Sequence, residues 1–415
     1  MVLPGPSQQS LRAAALDFAR NQMSATKGEN ASRRRQPDVD AGACTTSIVK
    51  MHPDRQTPCT TRATRAVVAI PVRDEAEWIG RCLRALKRQT RTPDAVVLLL
   101  NNCTDKTAVI ACFLASRLPY RLHIHQHDFP SSTANVGSAR RLAMEVGAEI
   151  AGPDGVLLTT DADAVVARDW IERSLLALAS GADVVCGRVA IDPVEAMVIP
   201  WHVLAEEALE RRLAELLDRV AVMLDPDPTD PWPRHTEAAG ASLAVTTSCF
   251  NQVGGIPALA AGEDRAFVAA LARMDARIRH DPTVTVTVSA RIHGRAPGGM
   301  ADTIRRRMGQ QDEFADASLE PSVDAYRRID FRRRVRLVWH DGAADEDLAA
   351  DLGVPDDRLL GSLSNRFFGT AWAAIENQSP FLKRRRVRFA ELSKQIAYAE
   401  QLLEPVKTSF ANDDR

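Results

Sequence analysis

Between residues 66 and 191 short apolar runs alternate with stretches of helical periodicity. "AVVAIPV" (66–72), "DAVVLLLNN" (94–102), "YRLHIHQH" (120–127), "GVLLTTDAD" (155–163) and "ADVVCGRVAI" (182–191) read as strands. The first gap, "EAEWIGRCLRALKRQ", places Trp78, Ile79, Cys82, Leu83 and Leu86 at helical spacing. "TDKTAVIACFLASRL" reads as a helix begun by Thr104 or Asp105 as cap, and "NVGSARRLAMEVGAEIA" (135–151) and "RDWIERSLLALAS" continue the series. Strand and helix alternating at this spacing imply crossover units, hence an α/β fold with a mainly parallel sheet flanked by helices. Covering both faces of such a sheet makes its strands apolar at nearly every position.

The rhythm breaks after residue 191. "WHVLAEEALERRLAELLDRVAVML" (201–224) predicts a long amphipathic helix with Leu209, Leu213, Leu216, Val220 and Leu224 on one stripe. Glu207 to Arg211 and Glu215 to Arg219 are i, i+4 pairs on its wet side. A Pro-rich loop follows (224–235), so 192–234 reads as an insertion. "TVTVTVS" (283–289) alternates strictly, as a half-exposed strand does. The chain beyond residue 300 predicts a helical, basic extension (301–415). Residues 1–63, polar and without sustained periodicity, predict a disordered segment ahead of a main domain at 64–300.

Composition narrows the function classes. The 415 residues are 45% hydrophobic and 26% charged, enough apolar content for a large core. A formal net charge of −1 supplies no field to draw nucleic acid. No apolar run approaches the roughly 20 residues that cross a bilayer, so any membrane contact would be peripheral, through a run such as "FLKRRRVRF" (381–389). Seven scattered cysteines without a CxxC pair point to reduced thiols and a cytoplasmic location.

The candidate chemistry gathers where strands end. DxD triplets also occur at Asp38–Asp40, Asp225–Asp227 and Asp345–Asp347, but Asp161–Asp163 alone finishes an apolar strand. Ligands of open α/β sheets bind at the carboxyl ends of strands, and residues i and i+2 of an extended chain point to one side. Two hard oxygen donors there suit Mg²⁺ or Mn²⁺ held partly by substrate phosphates; the plainer alternative is a polar turn. The first strand leaves through Pro71, Arg73 and Glu75, and the second through Asn101, Asn102 and Asp105. "ANVGSARR" offers Asn135, Gly137 and Arg140 at a helix start suited to a pyrophosphate. Glu263 and Asp264 open a helix, either as ordinary complements of its dipole or as a general base against a hydroxyl.

In sequence order, "VVAIPVRDEAEWIGRCLRAL", "VVLLLNNCTDKT", "ANVGSARR", "LLTTDADAVVARDWI", "VGGIPALAAGED" and "RIHGRAPGG" resemble the family 2 glycosyltransferases of the GT-A fold. The resemblance implies a nucleotide-sugar donor, a hydroxyl acceptor and a divalent metal, with inversion at the transferred sugar. It implies that Pro71, Arg73 and Glu75 meet the nucleotide base. Asn101 and Asn102 stand where the family usually offers an Asp to the nucleoside. Asp161 and Asp163 fall on the donor- and metal-binding DxD, and His293 on a third metal ligand. Asp264, preceded by Glu263, falls on the base, while Gly240, Ala241, Ser242 and Arg295 fall on the acceptor side. A nucleotidyltransferase or a non-catalytic nucleotide-sugar-binding module are the rival readings. The first would place a Gly-rich basic loop after the first strand, where this chain has "PVRDEAEW".

Overall fold

The computed structural model describes residues 64–295 and 298–410; the segment expected to be disordered, 1–63, lies outside them. Strands β1 (Ala66–Val72), β2 (Ala95–Asn101), β3 (Arg121–His127) and β4 (Val156–Thr159) alternate with helices α1 (Ile79–Lys87), α2 (Thr107–Ala115) and α3 (Val136–Ala151), as the apolar pattern predicts. After β4 come β5 (Val165–Val166), α4 (Trp170–Ala179), β6 (Val184–Ile191), α5 (Trp201–Leu224), β7 (Leu243–Thr246), α6 (Thr247–Gln252), α7 (Glu263–Arg273) and β8 (Ile278–Val288).

One eight-stranded sheet runs β3-β2-β1-β4-β7-β6-β8-β5. The pairs β1–β2, β2–β3, β1–β4 and β6–β8 are parallel. β7 runs against both its neighbours and β5 against β8, so six of the eight strands share a direction. The sheet is therefore mixed, with its carboxyl ends gathered on one edge.

Alternation within β1 divides the core. Ala66, Val68, Ile70 and Val72 pack with α1, α2 and α4 on one face, while Val67 and Ala69 pack with α3 and α7 on the other. Every residue of β1 and β2 is buried, which is why those strands are apolar up to Asn101 at the cleft end of β2. At Gly147 the helix α3 lies so close to the sheet that an added Cβ would sit 3.3 Å from Leu157 Cδ2.

Three boundaries differ from expectation. β4 ends at Thr159, so Asp161–Asp163 occupies the turn beyond it rather than the strand itself. β7 and α6 were not anticipated: four buried residues carry too little pattern to declare a strand. β8 begins at Ile278, before the alternating run, because charged Arg279 and His280 are tied laterally to Asp230.

The region after residue 299 is helical, as its composition implied: α8 (Met300–Gly309), α9 (Ser322–Asp341), α10 (Leu348–Leu352), α11 (Asp356–Leu363), α12 (Phe368–Gln378) and α13 (Leu392–Phe410). It packs on the insertion helix. Leu213 and Leu216 of α5 are buried with Leu319, Val387, Phe389 and Leu392. A second small core joins Phe331, Val335, Leu352, Phe368, Trp372 and Ile375. In the basic run 381–389, Leu382, Val387 and Phe389 are buried, while Phe381 and the basic residues between and beside them are exposed, with Arg385 pairing with Asp324 at 2.6 Å. No described helix is long and apolar enough to cross a membrane.

Candidate active site

A cleft of about 1100 Å³ opens at the carboxyl ends of β1, β2 and β4, and α5, α7 and the segment after β8 wall its other side. Burial of β1 up to Val72 brings the chain to this edge, where Asp74 turns it with φ of 51°. The Asp74 carboxylate accepts from the amides of Thr104 (2.7 Å) and Asp105 (3.2 Å), locking the β1 exit to the β2 exit. Arg73 is aimed across the cleft mouth by its bond to the Ala134 carbonyl, 2.8 Å.

Two guanidinium groups organise the carboxylates. Arg140, projecting from α3 and 3% exposed, donates Nη2 to Asp161 Oδ1 (2.8 Å) and Nε to Glu263 Oε1 (3.0 Å). Its Nη1 reaches Thr159 Oγ1 and the Gly240 carbonyl, both at 2.9 Å. Arg291, just beyond β8, donates to Glu75 Oε2 at 2.7 Å and lies 3.2 Å from Asp163 Oδ2. Ser289 Oγ donates to that same Asp163 oxygen at 2.7 Å. Four carboxylates thus face two cations, and Asp264 lies alongside. Burial raises the carboxyls of Glu75, Asp163 and Glu263 above the ordinary value, with their arginine partners opposing the shift.

Asp264 sits in the first turn of α7, half-buried on the cleft wall. Its Oδ2 accepts from the Gly240 amide and its Oδ1 from the Arg265 amide, each at 2.8 Å. Gly240 therefore holds Asp264 with its N–H and Arg140 with its carbonyl. A Cβ at Gly240 would fall 2.6 Å from the Arg140 Cζ, so only glycine permits this approach.

Of the predicted donor-side residues, Pro71, Arg73, Glu75, Asn101, Arg140 and Asp161 line the cleft, as do Asp163, Glu263 and Asp264. Gly240, Ala241 and Arg295 line it too, with Arg295 donating to the Asp74 carbonyl at 3.0 Å. The remaining residues serve the frame. Asn102 (φ 50°) exchanges both amide hydrogen bonds with the backbone of Phe129, and Asp105 accepts from the amides of Ala76 and Thr107. Asn135 caps α3 by accepting from the Ser138 amide, 2.9 Å. Gly137 is glycine because a Cβ there would lie 2.1 Å from the Leu259 carbonyl oxygen, which is close packing rather than a phosphate seat. Ser242 is buried, its hydroxyl accepting from the Trp170 indole at 3.0 Å. His293 is exposed and is not among the cleft's lining residues.

Arg291 is the residue that sequence reasoning missed. It lies two positions before His293 in the same "RIHGR" segment, and its partner Glu75 is 216 residues away. A charge opposite in sign to the carboxylates at the adjoining strand exits was the available signal.

The donor set fits a divalent cation, on two grounds. Asp161 Oδ2 has no protein donor among the described residues, and the four carboxylates outnumber the two guanidinium groups. No group of three or more His, Cys, Asp or Glu is placed to share an ion among the described residues, so His293 does not join the two aspartates. A cation held by one or two carboxylates and completed by phosphate oxygens and water needs no third protein ligand.

Residues 67–222, which run from within β1 into α5, match the family model "Glycosyl transferase family 2". No curated protein matches the chain. Among solved structures, S. aureus TarS 1–349 in complex with UDP-GlcNAc is similar at 14% identity and a TM-score of 0.42, covering 76% of this chain and 91% of that one. The mannosyltransferase PcManGT from Pyrobaculum calidifontis, in complex with GDP-Man and Mn²⁺, shows 16% identity and a TM-score of 0.39, over 88% and 93% of the two chains.

Proposed function

We propose that this protein transfers a sugar from a nucleoside-diphosphate sugar to an acceptor hydroxyl, with inversion and with Asp264 as general base. The observation that carries this reading is one cleft, beside the family-matched strands, that holds the Arg140–Asp161 and Arg291–Asp163 pairs together with Asp264. Pro71, Arg73 and Glu75 border the donor's base. Asn101 Oδ1, buried without a donor among the described residues, accepts from a base N–H there. Asp161, with Asp163 behind it, would hold a Mg²⁺ or Mn²⁺ ion, which when bound neutralises charge developing on the departing diphosphate.

The chain's own groups do the rest. Asp264 is fixed by two backbone amides and carries no guanidinium partner among the described residues, so it takes the acceptor's proton as the hydroxyl attacks the anomeric carbon. Glu263 is committed to Arg140 and serves positioning. One base opposite one leaving group requires no enzyme nucleophile, hence a single displacement. Residues 64–300 form the catalytic unit in this reading, with 192–234 as its insertion and 301–415 as its helical extension.

Calorimetric titration of UDP and GDP, with and without Mn²⁺, tests the donor side. Binding that depends on Mn²⁺ and is lost in Asp161→Asn is expected; metal-independent binding unchanged in that variant would refute the cation site.

A further inference from the structure

A basic run that the proposed reaction does not use lies on the surface of the helical extension. Between α12 and α13 the chain from Lys383 to Arg388 is extended, and Lys383, Arg384, Arg385, Arg386 and Arg388 are all exposed. Its apolar members hold it in place. Leu382 packs into the core of Phe331, Trp372 and Ile375, while Val387 and Phe389 pack with Leu213, Leu216 and Leu392. The backbone is tied as well. Arg328 donates to the Leu382 carbonyl at 2.8 Å, the Ala315 amide to the Val387 carbonyl at 2.9 Å, and the Phe389 amide to the Glu313 carbonyl at 3.1 Å. The cations are therefore displayed from a fixed ribbon.

Positive charge is in excess along this ribbon. Arg385 lies 2.6 Å from Asp324 and Arg388 lies 3.2 Å from Glu313, one carboxylate to each. Glu320 is 3.7 Å from Arg384 but is already held by Arg328 at 2.9 Å. Lys383 has no carboxylate partner among the described residues, and Arg386 donates to the Ala315 carbonyl at 3.2 Å. On a chain whose formal net charge is −1, this is a local field on one face. The ribbon also carries apolar side chains in the open. Phe381, at its head, is 55% exposed, and Val323, beside the Asp324 that holds Arg385, is 51% exposed.

Consecutive cations flanked by exposed apolar groups complement the headgroups of an anionic bilayer. The cations meet lipid phosphates, and the apolar groups enter the boundary beneath. Single-stranded nucleic acid would need open aromatic faces for its bases. Phe314, the ring lying among these cations, is instead taken up by Arg386 at 4.7 Å and Arg388 at 5.5 Å. We propose that the ribbon 381–388 is a docking surface for an anionic lipid bilayer. Asp316, Ser318 and Leu319 belong to the segment that the ribbon is tied to, and they line the cleft, so docking sets one rim of the cleft at the membrane surface.

Co-sedimentation of the full chain with vesicles tests this without nucleotide or sugar, so its outcome is separate from that of the transfer reaction. At about 0.1 M salt, where charges act over about 10 Å, the chain is expected to pellet with vesicles of mixed phosphatidylcholine and phosphatidylglycerol. Phosphatidylcholine alone should leave it in solution. Lys383→Gln combined with Arg384→Gln removes two charges that make no short hydrogen bond within the fold. This variant should bind the anionic vesicles about 25-fold more weakly, about fivefold per charge, at an unchanged melting temperature. No pelleting with anionic vesicles, equal pelleting with neutral ones, or a double variant that binds like the parent would overturn the docking surface. Release of the vesicle-bound chain by a single-stranded oligonucleotide, at phosphate concentrations below that of the lipid, would reassign the ribbon to nucleic acid and overturn it equally.

Discussion

Two arginine-centred clusters invite comparison. Arg140 at the strand ends and Arg307 on α8 are both buried and both bind two carboxylates: Asp161 and Glu263 for the first, Glu210 and Asp312 for the second. Around Arg307 the accounting of partners is complete. Glu210 takes two of its nitrogens and the Asp316 amide, Asp312 takes the third, and the Phe389 ring lies 5.0 Å from its Cζ. Around Arg140 the partners are reachable: Asp161 is one-third exposed, and Asp264 keeps to backbone amides. The same pairing thus fastens an extension in one place and holds reactive carboxylates apart in the other. Both line the cleft; what distinguishes them is how fully their carboxylates are occupied by protein partners, not the residue types.

The largest effect should come from breaking the fastener. Arg307→Ala leaves Glu210 buried and uncompensated, a loss of about 3–5 kcal/mol. Thermal unfolding should shift steeply downward, and an unchanged melting temperature would dissolve the contrast between the clusters. Next stands Asp264→Asn. Removing a general base should lower transfer at least about 10²-fold, roughly 2.7 kcal/mol in barrier, with melting temperature and nucleotide affinity nearly constant. Retention of more than about a tenth of the activity would place the base elsewhere.

A smaller, pH-dependent effect belongs to Asp312. Hydrogen bonds from Arg306, then Arg307, hold its carboxyl down at about 2, against 3.8 ordinarily. A depressed acid stabilises the fold above its ordinary value and loses that contribution as pH falls toward the folded one. Asp312→Asn should therefore melt lower than the parent at neutral pH, by about 1–2 kcal/mol, with the gap closing between pH 4 and 2. A gap that widened on acidification would contradict the assigned shift. The smallest effect is expected at the exposed pair Arg265–Asp316, where Arg265→Ala should change stability by less than about 1 kcal/mol. A greater loss there would show that this pair, and not only the Thr370 bond to the Arg273 carbonyl, fastens the extension to α7.

Much of the frame was legible in the sequence because it follows from local periodicity. β1 (66–72) and α5 (201–224) coincide with their apolar patterns, and Leu213, Leu216 and Val220 are the buried stripe. The site was legible as a set of positions but not as a set of partners. Nothing near Glu75 shows that Arg291 will reach it, and nothing in "DAD" shows that one aspartate faces Arg140 and the other Arg291. Asn102, Asn135 and Ser242 have polar side chains that suggested ligand contact, yet each satisfies backbone or indole groups nearby. Polarity at a strand exit marks a need for hydrogen bonds without saying whether a ligand or the chain itself meets it. The 3.5-residue to 3.6-residue rhythm of a helix is likewise mute about β7, whose four residues complete a sheet only through strands far away in sequence.

β7 has a consequence for how the protein is made. It is the strand inserted between β4 and β6, yet it leaves the ribosome roughly eighty residues after β4. At synthesis rates of about 5–20 residues per second, β4 waits roughly 4–16 s for the neighbour that covers its edge. Throughout that interval the nascent chain carries an apolar sheet with one open side, the condition under which strands pair with the wrong chain. The long amphipathic helix α5, completed during the wait, also lacks its own cover, since Val387, Phe389 and Leu392 come last of all. Biogenesis of this chain is therefore back-loaded: its late segments finish what the early ones leave exposed.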